Sequence, residues 1–324
     1  MVDTRYSFPG GGEILFTPSE RPGYPMHGVG IVESDGTLRH FNGPLSFPYW
    51  DPHGGERVLT LSSSERPLAV SSRLKGNLLK PTWAFPAGDA SFTFPSLDGR
   101  FVAYLPLDSE GRLRGGTVRV IDRRNGRVRV LRSDGLIPTE WTPDDRLLAI
   151  PQRGGVAVQW DPNTGNARPF LDSTTPIGPP SWSPDGTRFA AAGGHEGSKL
   201  VIGTYTGVVL YDLPVQGSMG TPTWSPDGRS VAYIARPTSA REAVLHIVGV
   251  QSGIDAAIAN GVSDAFWASW SPDGQWLLIE DWTRDRWLFV SADGSYRLPY
   301  PWLGDFPRWC CPSSPAVTTQ IPVS

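Results

Sequence analysis

Lysine is nearly missing from this chain: Lys75, Lys80 and Lys199 stand alone in 324 residues, so almost every basic side chain is an arginine. Cysteine occurs only at the adjacent positions Cys310 and Cys311. That pair excludes a disulfide framework and leaves two reduced thiols in a buried strand as the expected state. No run of 18 apolar residues exists, so no segment is expected to enter a membrane. The opening MVDTRYSFPGGG lacks the apolar stretch of a signal peptide. The expected location is the cytoplasm for a complete chain, and the periplasm or cell exterior if an N-terminal signal or anchor was removed. A net charge of −3 and a pI near 6.0 give no pull toward nucleic acid. Also absent are a Gly-x-Ser-x-Gly elbow, a phosphate-binding loop, a His-Glu-x-x-His pair and an EF-hand ligand series. The histidines, His27, His40, His53, His195 and His246, are scattered, so neither a metal nor a cofactor is expected.

What the chain does have is aromatic rings and turn formers. It contains 13 Trp, 13 Phe and 9 Tyr, and its 37 Gly and 32 Pro make up about a fifth of it. That mixture suits many short strands joined by tight turns. The stretch SWSPDG occurs at 181–186 and 269–274, with TWSPDG at 223–228, and degenerate copies surround other aromatics. The anchors are Trp50, Phe94, Trp141, Trp182, Trp224, Trp270 and Trp309, spaced by 44, 47, 41, 42, 46 and 39 residues.

Each unit reads as four short strands. The first ends at the aromatic anchor, and Ser-Pro-Asp-Gly then reverses the chain. Proline presets φ at the first central position, and glycine accepts positive φ at the end. A second strand (RFAAA, SVAYIA), a third (TVRVID, LHIVGV) and a fourth (RVRVLR, SYRLPY) follow, without helical periodicity. The expectation is an all-β fold, a seven-bladed β-propeller of four-stranded antiparallel blades forming one domain over 1–324. The expected blades are 13–43 with 306–312, then 46–84, 91–133, 138–173, 179–215, 221–260 and 267–300. The C-terminal strand is expected to complete the N-terminal blade and so close the ring.

The Trp-Ser-Pro-Asp-Gly units at Trp182–Gly186, Trp224–Gly228 and Trp270–Gly274 resemble the propeller repeats of the TolB type. The likeness covers nearly the whole chain and is degenerate at Trp50, Phe94 and Trp141. TolB itself differs in blade number and in carrying an added N-terminal domain. The same repeat type occurs in the propeller domains of prolyl oligopeptidase-like enzymes, whose hydrolase domain has no counterpart here. It occurs too in oligogalacturonate lyases, whose histidine-rich metal centre does not map onto these residues. The resemblance therefore implies a fold, and function has to come from a site.

Loops between strands two and three, and between blades, are expected on one face, opposite the Ser-Pro-Asp-Gly turns. Trp83, Phe85, Trp267 and Trp302 fall in inter-blade loops by this reading, and Trp282 in another loop of that face. Such an aromatic rim suits sugars or protein anchors, and satellite cores beneath the loops account for it equally well. Tyr49, Glu140 and Arg308 precede their anchors on innermost strands and are the large polar candidates for the central channel. The arginines 119, 123, 124, 127, 129 and 132 on one outer hairpin read as edge protection, with an anionic partner as the alternative.

The function these features favour is a noncatalytic, rigid binding platform for a protein or carbohydrate partner. The alternatives are a propeller polysaccharide lyase or hydrolase acting at the channel mouth, and an extracytoplasmic sensor or structural domain of a longer protein.

Overall fold

Alternating residues of the strand Trp276–Asp281 and its neighbours are buried on both sides, which is what a sheet stacked between two other sheets requires. The structure, a computed structural model, describes residues 7–21, 24–25, 28–41, 45–50, 57–62, 68–75, 78–86, 90–96, 98–106, 117–132, 136–151, 156–171, 177–238, 242–262 and 268–310. Every strand pairing among them is antiparallel, and the strands group into five sheets of four consecutive strands and two of five, one of which takes in the C-terminal strand. The fold is a β-propeller.

Six blades are described through to their cores, one fewer than the sevenfold repeat predicts. They comprise 90–132, 136–169, 181–214, 218–262, 268–301, and 13–41 joined by Gly304–Cys310. The remaining repeat, over 45–86, is described as a backbone sheet of Leu45–Trp50, Arg57–Ser62, Leu68–Lys75 and Leu78–Pro86, and its side chains lie outside the described residues.

The recurring turn owes its shape to one hydroxyl as much as to proline. Ser183 Oγ donates to Asp185 Oδ1 at 2.6 Å and accepts the Arg188 N–H at 3.0 Å. Ser225 with Asp227, and Ser271 with Asp273, repeat the arrangement. Gly186, Gly228 and Gly274 sit at φ of 69°, 68° and 68°, the left-handed region where a side chain is strained. In the degenerate copy Thr142–Pro143–Asp144–Asp145, Asp145 takes that position at φ 56°, as aspartate tolerates.

The anchors stitch blade to blade. Trp141 Nε1 donates to the Phe94 carbonyl at 2.8 Å, Trp224 to that of Ser181 at 3.1 Å, and Trp270 to that of Thr223 at 3.2 Å. Each indole thus fills the seam and satisfies its own donor, as a buried tryptophan must. Trp182 breaks the pattern: its Nε1 has no hydrogen-bond partner.

The chain ends meet in the sheet. Strand Gly304–Cys310 pairs with Glu13–Arg21, placing Trp309 opposite Ile14 and Arg308 opposite Leu15. Phe8, Phe16, Trp287, Phe289, Tyr300 and Trp309 form the aromatic core there. Cys310 ends this strand, and Cys311 lies outside the described residues.

Candidate functional site

Innermost strands of several blades are not regular just before the anchor. Register slips between Pro138 and Glu140, and again opposite Leu15 and Thr17, where Phe306 and Pro307 face one residue. The backbone sheet of 45–86 slips likewise between Ser46 and Tyr49. Such bulges re-aim the side chains beside them. Among the candidates, Glu140 and Arg308 stand beside such slips, and the backbone of Tyr49 does too. Phe306 adopts φ 56°, a left-handed conformation unusual for a phenylalanine.

Glu140 keeps some accessible surface yet has protein on all sides, as expected of a residue lining an internal passage. Burial pushes its carboxyl up to about 7, opposed by the Trp141 N–H and the charge of Arg308. Its Oε1 accepts that N–H at 3.1 Å.

Glu280 was not among the sequence candidates. It is the penultimate residue of Trp276–Asp281, is 4% exposed, and accepts the Phe306 N–H at 2.7 Å. Burial pushes its carboxyl up to about 8; the Phe306 bond works against this, the negative charge of Asp305 adds to it, and Arg308 and a Trp282 hydrogen bond oppose it. Asp305 is itself buried. Arg308 therefore acts electrostatically on both Glu140 and Glu280, which belong to different blades. A signal existed in the sequence: WLLIED continues an apolar strand straight into two carboxylates, on a strand buried on both faces.

Trp282, a candidate of the aromatic rim, lies on the 3-10 turn Trp282–Arg284 and is 37% exposed. The turn has a rigid base. Buried Asp281 accepts from Arg286 Nε at 2.8 Å, Thr283 Oγ1 at 3.0 Å and Arg284 at 3.4 Å. Arg284 also reaches Glu242 Oε1 and the Gly261 carbonyl of the preceding blade, both at 3.3 Å.

Of the other expected rim residues, Trp302 is the one whose side chain is described. Trp302 packs against the aromatic core and donates to Ser19 Oγ at 2.9 Å, so it serves the core beneath the loops. Trp83 and Phe85 lie within strand Leu78–Pro86, opposite Ser71 and Ala69, and not in the inter-blade loop expected for them. The strand runs on through them because its pairing with Leu68–Lys75 continues to Leu68 opposite Pro86. Trp267 and the side chain of Tyr49 lie outside the described residues. Among the described residues, no cluster of three His, Cys, Asp or Glu side chains could hold a metal ion.

The described candidates are thus two carboxyls with raised proton affinity and one guanidinium on the innermost and second strands of a β-propeller, with one exposed indole on the turn that follows Glu280. No family model and no curated protein matches the chain. Solved structures similar to it include TolB from Acinetobacter baumannii, at 19% identity and TM-score 0.52, over 92% of this chain and 66% of that one. A provisional 6-phosphogluconolactonase from Bacteroides uniformis ATCC 8492 matches at 12% identity and TM-score 0.65, over 93% and 100% of the two chains. Dihydro-heme d1 dehydrogenase NirN matches at 15% identity and TM-score 0.60, over 93% and 75%. At these identities the likeness is one of fold, and the functions printed for these neighbours diverge.

Proposed function

We propose that the chain is a TolB-type propeller whose seven sheets form one closed ring, and that the mouth of its channel is a noncatalytic binding site for a carbohydrate or protein partner. The observation that carries the reading is the position of Glu280. Its carboxyl accepts the Phe306 N–H of the innermost strand at 2.7 Å and stands two residues before the exposed Trp282. The turn that carries this exposed indole is fixed by Asp281, so an aromatic face is set beside hydrogen-bonding groups of the inner strands. Aromatic stacking with a few convergent polar groups is how sugars and peptide anchors are held. The ring itself is supported by the pairing of Gly304–Cys310 with Glu13–Arg21 and by their contacts with Leu45–Trp50.

The test is a glycan and peptide binding screen with wild-type protein, W282A and E280Q. Binding in the wild type, weakened at least tenfold in W282A, supports the site. Binding unchanged in both variants, or no ligand at all, overturns it.

The raised carboxyls of Glu140 and Glu280 favour a second reading, a lyase or hydrolase using them as acid and base. Turnover of a glycan that binds, abolished by E140Q or E280Q with binding retained, would select it.

A further inference from the structure

The outer hairpin of blade 90–132 has its polarity reversed. On strand Val128–Arg132, Val128 and Val130 are 42% and 46% exposed, while Arg129 alternates onto the same face as buried Leu131. Register confirms the geometry, with Val120 opposite Arg129 and Val118 opposite Leu131. Val118, Val120 and Leu131 pack against Trp141, Leu147 and Trp160 of the next blade. Arg129 is therefore turned toward the seam between two blades. Edge protection places charge along a solvent edge and does not account for an arginine on the packed face with valines left in water.

At that seam lies a cleft of about 190 Å³ lined by Arg100, Phe101, Asp122, Arg127, Arg129 and Asn163, among others. Arg129 Nη2 donates to the Asn163 carbonyl at 2.6 Å, which fixes the side chain across the seam. Arg100 lies 4.4 Å from the centre of the Phe101 ring and is held by Asp122 at 2.8 and 3.2 Å. Asp122, the one carboxylate among the lining residues, is already engaged by Arg100, the Arg124 N–H and Asn125. On the neighbouring turn, Asp161 faces Arg146 at 3.9 Å. Three guanidiniums against one carboxylate leave the cleft with two uncompensated positive charges. Among the described residues, neither Arg127 nor Arg129 has an ion-pair partner.

Guanidinium forks match tetrahedral oxyanions in shape and charge, and a cleft desolvates the contact. We infer that this seam is a binding site for a phosphate or sulfate group, free or carried as a monoester on a small molecule, with Arg127 and Arg129 as its principal donors. The site lies on the outer hairpin and is independent of the channel mouth.

Calorimetric titration at low ionic strength with inorganic phosphate, inorganic sulfate and phenyl phosphate tests it. The expected result is saturable one-to-one binding that weakens as salt is added. The double variant R127Q/R129Q should weaken it at least tenfold. R297Q, which removes the same kind of charge from another outer strand, should leave it within twofold. Tighter binding of phenyl phosphate than of phosphate identifies a monoester as the ligand, and equal binding identifies the free anion. Absence of saturable binding at millimolar anion overturns the inference, as does equal weakening by R297Q or none in the double variant. Should the double variant not fold, R127Q alone, on an exposed turn residue, is expected to weaken binding at least threefold, and an unchanged affinity there overturns the inference as well.

Discussion

Trp309 Nε1 donates to the carbonyl of Gly11 at 2.8 Å, joining two residues 298 positions apart. This bond and the pairing of Trp309 with Ile14 make the last strand part of the blade that opens the chain. Truncating such a buried indole costs ~3–5 kcal/mol. W309A is expected to lower the urea midpoint by a corresponding amount, and deletion of 304–324 to broaden the transition. A melt unchanged by the deletion would show that the two ends do not clasp.

The serine of the repeated turn is expected to contribute to stability through its buried hydrogen bonds. Ser271 is fully buried, donates to Asp273 Oδ1 at 2.5 Å and accepts the Trp276 N–H at 2.9 Å. S271A leaves that N–H without its acceptor and should cost ~1–2 kcal/mol in chemical denaturation. An effect below experimental error would place the turn's stability in proline and glycine alone.

Turn carboxylates set an acid limit. Hydrogen bonds from Ser183 and Thr187 hold Asp185 down to about 2, below its ordinary 3.8. A carboxylate with lowered affinity for protons stabilises the fold above its unfolded value and loses that contribution as pH falls through the folded one. D185A should therefore lose stability relative to wild type at pH 5 and approach it near pH 2, as read by melts across that range.

The buried glutamates act with the opposite sign. Glu280 rises from 4.5 to about 8 and Glu140 from 4.5 to about 7. Between 4.5 and those values the unfolded chain releases protons that the folded one retains, so stability falls as pH rises through the window. E280Q removes its share of that slope. It should be stabilised relative to wild type at pH 9 compared with pH 5, and equal pH dependence of the two proteins would contradict the burial argument.

Arg308 is expected to govern both glutamates together. Its charge lowers the proton affinity of each, so R308M should move both carboxyl titration midpoints upward in a carbon-detected NMR titration. A shift in only one would mean that the two sites do not share this guanidinium.

The repeat was legible in the sequence because its causes are local. A proline, a glycine able to take positive φ and an aromatic at a fixed offset specify each turn within six residues, and the alternation beyond it specifies strands. Glu140 and Arg308 could be singled out for the same reason, since their position follows from the anchor beside them. Trp302 and Trp83 could not be separated from Trp282 in this way. One indole closes onto Ser19 across the sheet, another lies in strand Leu78–Pro86, and only Trp282 is on an exposed turn.

By itself, then, the sequence determined a β-propeller of repeated four-stranded units and the places where each unit turns. Tertiary structure alone decided which charged groups meet. Glu280 meets the Phe306 N–H, and Arg129 crosses a seam to Asn163, through partners brought close by packing of one blade on the next. Turn chemistry acts over a few bonds and can be read along the chain. Burial, bulges and charge pairing between blades depend on distances that no local pattern encodes.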